Sequence, residues 1–411
     1  MLSFNQKYKQ LTIFYGLFLL NIIIYWNSLT AFFVSDDFDW LNIVGSGSTV
    51  LKSFVGNYYG VSGLGGSFRP LVAVLFYLER LVFGLQPWGY HLVSVLLNSL
   101  VAFLIYKIVV YVVIFTCRRG STTPNQANVD CGSPPAWRDD KMVGTAAILS
   151  ALIFSILPNH VEAVSWIAAV ADPLATSFYL LSFYVYVNWP GGLKRRFLSL
   201  FLFGLALLSK ESAVTLPLIL IIYEVFLNQE KFGVGVLKKV WLHIVLLFSY
   251  LVYRFWATGI LFGYYGRTAL VTVLQIKDYL RTFVNISAGM VSVGQLRIAL
   301  SQFIISNRWV VLILVAIILL FYWFKTSRTQ KQYGWVLFLF WLINVLLVLP
   351  LRLGVTNDEG QRFGYTASVT VAIVLAIGLV YIYHHHKKVS YILAGSIFAY
   401  FGLFFILFFD Y

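Results

Sequence analysis

Ionisable side chains are scarce in this sequence, and several of them fall in tight groups with the makings of a reactive site. Ser35-Asp36-Asp37-Phe38-Asp39-Trp40 places three carboxylates within four positions. Carboxylates this close repel one another, and at a membrane surface they lose hydration; both effects raise at least one pKa. A carboxyl tuned in this way suits a general base that takes a proton from a hydroxyl. The same residues also suit a helix cap, with Ser35 or Asp37 capping a helix that starts at Phe38.

A second group runs from Leu157-Pro158-Asn159-His160-Val161-Glu162 to Ala171-Asp172-Pro173. His160, Glu162 and Asp172 could bind a sugar, orient a base or hold a cation. The competing reading is a polar corner with Asp172 capping the next helix. A metal site is the weakest option, because hard cations need several oxygens and the donors here are few and scattered.

Ser209-Lys210-Glu211-Ser212 interrupts two apolar runs. Lys210 there could meet an anionic lipid head group with Glu211 holding it in place, or the two could simply pair in a turn. Arg362, in Asp358-Glu359-Gly360-Gln361-Arg362, can hydrogen-bond a phosphate through two parallel N–H groups, which Lys cannot. It could equally be an interfacial Arg paired with Glu359. Arg69, in Phe68-Arg69-Pro70-Leu71, is open to the same two readings.

Other features promise less. The glycine-rich run Gly60–Gly66 lacks the strand–turn–helix setting of a nucleotide site. His384-His385-His386 is expected to be a polar helix end. Asn285-Ile286-Ser287 fits a glycosylation acceptor, a triplet common by chance. Cys117 and Cys131 are expected to be free thiols in an inner loop.

The elements that must position these groups follow from composition. Of 411 residues, 60% are hydrophobic and 11% charged, and the mean hydropathy is +0.82. Soluble domains carry about 25% charged residues, so a soluble enzyme and a disordered chain are both excluded. Apolar runs of membrane-crossing length recur instead, at 11–34, 91–116, 142–158, 173–188, 196–209, 212–228, 239–261, 309–324, 335–350, 366–383 and 390–409. They predict an all-α polytopic membrane protein with about 11 spans.

The net charge of +14 follows the cytoplasmic bias of Lys and Arg in such proteins, so no nucleic-acid partner is expected. Lys7, Lys9, Arg118, Arg119, Lys194–Arg196, Lys231, Lys238 and Lys239 fall inside if the N-terminus is inside; the C-terminus is then outside. Most carboxylates, including Asp36 and Asp37, then fall on the outer face. Two outer loops, 35–90 and 262–308, are long enough for interfacial helices. The stretch Leu71–Leu85 is expected to lie flat with Glu79 and Arg80 on its wet side. The expected organisation is one transmembrane domain over 1–411 with no soluble domain.

Taken in order, these segments resemble the GT-C membrane glycosyltransferases. Within them, the resemblance is to the transmembrane part of protein O-mannosyltransferases that carry tetratricopeptide repeats; the repeats themselves are absent here. The resemblance rests on the Asp pair after the first span, Phe68-Arg69-Pro70-Leu71, and Pro87-Trp88-Gly89-Tyr90-His91-Leu92-Val93. It continues through Asn159–Val164 with Ala171-Asp172, then Leu208-Ser209-Lys210-Glu211, then Arg362 through Ser368. The chain differs from the family pattern at Leu157 and Val170.

The resemblance implies inverting transfer of a sugar from a polyprenyl-phosphate donor to a hydroxyl on the outer membrane face. Asp36 or Asp37 would be the base. Lys210, Arg362 and Arg69 would bind the donor phosphate, and His160, Glu162, Asp172, Glu211 and His91 would orient sugar or acceptor. The acceptor would be a protein, glycan or lipid. Neither cofactor nor metal is implied, because the lipid-linked sugar is itself a substrate. The setting expected is a bacterial or archaeal plasma membrane. The rival from another class is a transporter or flippase, whose charged residues would lie near mid-bilayer in duplicated halves.

Overall fold

The computed structural model describes residues 4–56, 68–119, 140–188, 192–259, 276–292, 294–311, 326–351 and 360–407, with isolated positions between 311 and 326. Among them the regular structure is helical, with no strand. The helices that build the bundle and the site are α1 (Phe4–Ile24), α2 (Asp36–Ile43), α3 (Pro70–Phe83), α4 (Pro87–Arg119), α5 (Asp140–Ile156), α6 (His160–Ser165), α7 (Ala171–Asn188) and α8 (Leu193–Ser209). They continue as α9 (Leu216–Ile222), α10 (Val234–Thr258), α11 (Ile276–Gly289), α12 (Gly294–Ser306), α13 (Arg328–Leu346), α14 (Tyr365–His385) and α15 (Lys387–Leu407).

Lipid offers no hydrogen-bond partners, so an apolar segment that crosses it closes its own backbone bonds as a helix. Among the described residues five segments are long and apolar enough to cross a membrane: Pro87–Val112, Ile167–Asn188, Val234–Thr258, Gln330–Leu351 and Gln361–His385. Tyr8–Ile24 and Lys141–Ile156 are apolar but shorter. A helix covers most of each expected span except 309–324, most of which lies outside the described residues.

The bundle centre is built by α4, α5, α7 and α14, with α7 against α8 and α4, and α5 against α4 and α14. Ala102, Ala147, Ala151, Ala206, Ala372 and Ala376 are all buried in this core. Without a hydrophobic force between helices in lipid, small side chains let backbones approach and gain packing contacts instead.

Polar links complete the centre. Asn98 donates through Nδ2 to Asn21 Oδ1 at 2.7 Å and accepts the Tyr365 hydroxyl on Oδ1 at 2.6 Å. Asn21 in turn donates to Ser155 Oγ at 3.1 Å. Asn98→Ala leaves the buried Tyr365 hydroxyl and Asn21 amide oxygen without these partners, an expected loss of about 1–3 kcal/mol. The thermal unfolding midpoint of purified protein in detergent should fall; an unchanged midpoint would mean that the network adds no stability.

The structure corrects the expectation for α3. Glu79 is buried on the same face as Val72, Ala73 and Phe76, while Leu78, Leu81 and Val82 are exposed. Arg80 reaches across to donate to the Leu41 carbonyl. The side expected to be wet is thus covered: Glu79 is buried together with Val72, Ala73 and Phe76, Arg80 is half-buried, and the side that faces out is the apolar one of Leu78, Leu81 and Val82. Sequence spacing gives a face but not which face the bundle covers, and here α2 covers the charged one, with Trp40 stacked on Phe76 at 5.0 Å.

Candidate active site

The Asp pair sits at the start of α2, and backbone geometry separates the two roles. Ser35 has φ 48° and ψ −123°, a left-handed setting that costs a non-glycine residue about 1–3 kcal/mol. The kink is held from the next turn: Asp37 accepts the Val34 N–H on Oδ2 at 2.9 Å and the Ala168 N–H on Oδ1 at 2.7 Å. Asp37 is buried whereas Asp36 remains half-exposed, with the Ser35 hydroxyl donating to its Oδ1. Burial pushes the Asp37 carboxyl up to about 6, the two backbone N–H bonds oppose the rise, and the neighbouring Asp36 adds a smaller push. Desolvation, rather than mutual repulsion, is the leading cause.

Asp37 ties α2 to the turn that follows α6, and that turn carries the next component. Trp166 lies 4.4 Å beneath the Arg362 guanidinium, which also stands 5.0 Å over Phe363. Arg362 Nη1 donates to Glu162 Oε1 at 2.6 Å, and Glu162 also accepts the backbone N–H groups of Gly360 and Arg362 at 3.1 and 3.0 Å. Gly360 has φ 89°, a conformation open to glycine at little cost; the turn presents both N–H groups to one carboxylate. Arg362 therefore pairs with Glu162; Glu359, its expected partner, lies outside the described residues.

Lys210 ends α8 with φ −160° and ψ 145°. Extended backbone sends successive side chains in opposite directions, which is why Lys210 and Glu211 do not pair with each other. Lys210 Nζ donates to Asp172 Oδ1 at 2.5 Å and lies 5.0 Å over the Phe363 ring. Glu211 turns the other way and accepts Arg69 Nε and Nη2 at 3.4 and 3.3 Å and the Phe68 N–H at 3.2 Å. The expectation that Glu211 holds Lys210 is thus replaced by an Asp172–Lys210 pair and a separate Arg69–Glu211 pair. Burial pulls the Lys210 ammonium down to about 8; Asp172 resists, while Arg69 and Arg362 add to the fall. Burial pushes Glu211 up, but Arg69 and Arg254 outweigh it and hold the carboxyl below its usual value.

Two expected orienting residues lie deeper. His160 is fully buried between Phe154 and Tyr365, with Nε2 at 2.7 Å from Ser368 Oγ, and burial pulls it to about 3. It is a neutral packing element at physiological pH. His91 is buried in the second turn of α4, and none of the ion pairs among the described residues includes it. Asn285 is also buried and accepts from Arg297, so it is no accessible glycosylation acceptor in this structure.

Arg254 escaped the sequence reading. It sits in the apolar α10, almost wholly buried, 3.9 Å from Glu211. A lone cation inside an otherwise apolar run is expensive in lipid, and that was its available signal. Among the described residues no cluster of His, Cys, Asp and Glu could hold a metal ion.

The geometry thus joins Asp36/Asp37, Trp166, Arg362, Phe363, Lys210 and Asp172 in one contiguous set drawn from α2, the α6–α7 turn, the first turn of α7, the α8–α9 break and the turn Gln361–Gly364 that leads into α14. No family model matches the sequence. Curated proteins do. A Drosophila melanogaster protein O-mannosyl-transferase, Tmtc3, is 26% identical over 242 residues, which is 55% of this chain and 25% of that protein. Human TMTC3 is 27% identical over 55% of this chain and 22% of its own length, and mouse TMTC2 is 29% identical over 59% and 28%.

Its homologues are protein O-mannosyl-transferases. The chain spans only about a quarter of the length of these mannosyltransferase relatives. The likeness agrees with the resemblance drawn from the motifs alone and with the all-α membrane architecture.

Proposed function

We propose that the chain is an integral-membrane glycosyltransferase that moves a hexose, mannose by analogy with its homologues, from a polyprenyl-phosphate donor to a hydroxyl. A protein hydroxyl is the favoured acceptor on the same analogy. The observation that carries this reading is the Asp37–Ala168 bond, which fixes the aspartate pair beside the turn on which Arg362 rests.

In the reaction, Asp36 accepts the acceptor's proton as that oxygen attacks the anomeric carbon. The bond from that carbon to the phosphate oxygen breaks, and polyprenyl phosphate leaves with the electron pair. Inversion follows from a single displacement, and one base suffices because cations stabilise the leaving phosphate. Lys210 has three N–H groups and Arg362 five; beyond the bonds to Asp172 and Glu162, both retain donors for phosphate oxygens. An arriving anion would also relieve the mutual repulsion of Lys210, Arg69 and Arg362. Asp37 is a positioning residue, holding the kink that turns Asp36 outward. On this proposal the N-terminus is inside and the chain makes about 11 spans, and the site then falls at the outer water–lipid boundary.

The test is transfer of labelled mannose from polyprenyl-phosphate mannose to Ser/Thr peptides by purified protein in vesicles. Incorporation into peptide supports the proposal. Uptake of labelled substrate without transfer would favour the transporter.

The proposal predicts a bounded pH profile. Asp37 accepts two N–H groups only when ionised, so its protonation as pH falls through about 6 loosens α2 and lowers the rate. Lys210 loses its charge as pH rises through about 8, weakening the hold on phosphate. The value of kcat/KM, which reports the free enzyme, should fall on both sides of this window. Asp37→Asn should remove the part of the acid limb centred near 6, leaving only the fall due to the base itself, and Lys210→Arg should push the alkaline limb upward; a profile flat across both values would contradict the assignment.

A further inference from the structure

Independently of that reading, the far end of the bundle holds a second polar centre. Lys210 and Arg195 lie at opposite ends of α8, which its length puts roughly 25 Å apart. Around Arg195, helices α7, α8 and α10 and the π-helical turn Tyr223–Leu227 enclose a cavity of about 240 Å³. π-turns carry an extra residue in the helix and are frequent at functional sites.

Its polar wall is built rather than incidental. Glu224 is buried and accepts hydrogen bonds from the Tyr186 hydroxyl, Asn228 Nδ2 and Lys239 Nζ, each at 2.9 Å. Arg195 stands 5.6 Å over the Tyr186 ring, and Arg196, on the same turn of α8, is exposed. His243 is almost wholly buried; its Nε2 lies 3.0 Å from Ser199 Oγ, and its Nδ1 has no hydrogen-bond partner. Arg195, Arg196 and Lys239 line the cavity with Glu224, and Lys239 Nζ also donates to the exposed Glu230 at 2.8 Å, so three cations face two carboxylates. That surplus of positive charge matches an anion, and guanidinium groups match phosphate oxygens in particular.

Two sources could bring that phosphate: a lipid head group or a free ion. The walls favour the lipid. Leu200 and Leu242 line the cavity beside the cations. On the outer surface of the same helices Phe197, Phe201 and Trp241 are exposed, an apolar and aromatic surface along which acyl chains can lie. Basic pockets between membrane helices commonly take anionic head groups.

We infer that the cavity between α7, α8 and α10 is a binding site for the phosphate head group of an anionic membrane lipid, held by Arg195, Arg196 and Lys239.

The full chain is reconstituted in phosphatidylcholine vesicles with and without phosphatidylglycerol, and its thermal unfolding midpoint is followed. Wild type should unfold a few degrees higher with phosphatidylglycerol, because a ligand that binds only the folded state stabilises it. Arg195→Gln with Arg196→Gln should lose most of that rise. Should the double variant fold poorly, Arg196→Glu, at an exposed position, should halve the rise or more while leaving the midpoint in phosphatidylcholine unchanged. Equal rises in wild type and Arg196→Glu would overturn the site. Equal protection by inorganic phosphate in phosphatidylcholine vesicles would overturn the lipid assignment.

Discussion

Asp36→Asn should lower sugar transfer by about 10²–10⁴-fold, the usual contribution of a positioned general base. Asp36 is the half-exposed member of the pair, while both oxygens of Asp37 are committed to backbone N–H groups. The amide keeps the size of the carboxylate and can still accept from Ser35, so the fold should survive; the unfolding midpoint checks this. Donor KM should change little, because the base acts on the acceptor and not on the phosphate. Turnover within a few-fold of wild type would remove Asp36 from the chemistry. Asp37→Asn should differ in kind, losing midpoint as well as rate, since an amide nitrogen facing the Ala168 or Val34 N–H replaces an attraction by a repulsion.

Arg362→Gln should cost about 10²–10³-fold in turnover, the range seen when one donor to a developing negative charge is removed. Part of this effect is local. Glu162 would keep its two backbone donors but lose the 2.6 Å bond from the guanidinium. Arg362→Lys discriminates between charge and geometry. An ammonium preserves the charge but cannot span Glu162, the Trp166 face and a phosphate together, so it should recover only part of the rate. Full recovery with Lys would show that Arg362 serves charge balance alone. Initial rates over a range of donor concentration separate the two cases, because loss of phosphate contacts must also raise donor KM.

Much of this arrangement is legible in the sequence, and the limits have physical causes. Apolar runs locate the helices because lipid leaves the backbone no alternative. Asp36-Asp37, Lys210 and Arg362 stand out because charges bordering apolar runs are costly. Partnerships are harder to read. Lys210 finds Asp172 rather than its neighbour Glu211 because the break after Ser209 is extended, and a single backbone angle decides that. Arg362 finds Glu162, which lies on a different helix, through a glycine turn. Glu79 and Arg80 are visible as the polar stripe of α3, but their burial depends on α2 folding over them. Arg254 carries a signal, a cation within the apolar stretch of α10 that follows Lys239, that becomes interpretable once Glu211 is seen beside it.

Bringing lipid-linked sugar, base and cations to one place is the central requirement. A density map of the protein in lipid with polyprenyl-phosphate mannose tests it most directly. The phosphate should lie within hydrogen-bond distance of Lys210 and Arg362, with the anomeric carbon on the side facing Asp36. Donor density seated elsewhere, with the Lys210–Asp172 and Arg362–Glu162 pairs untouched, would contradict it.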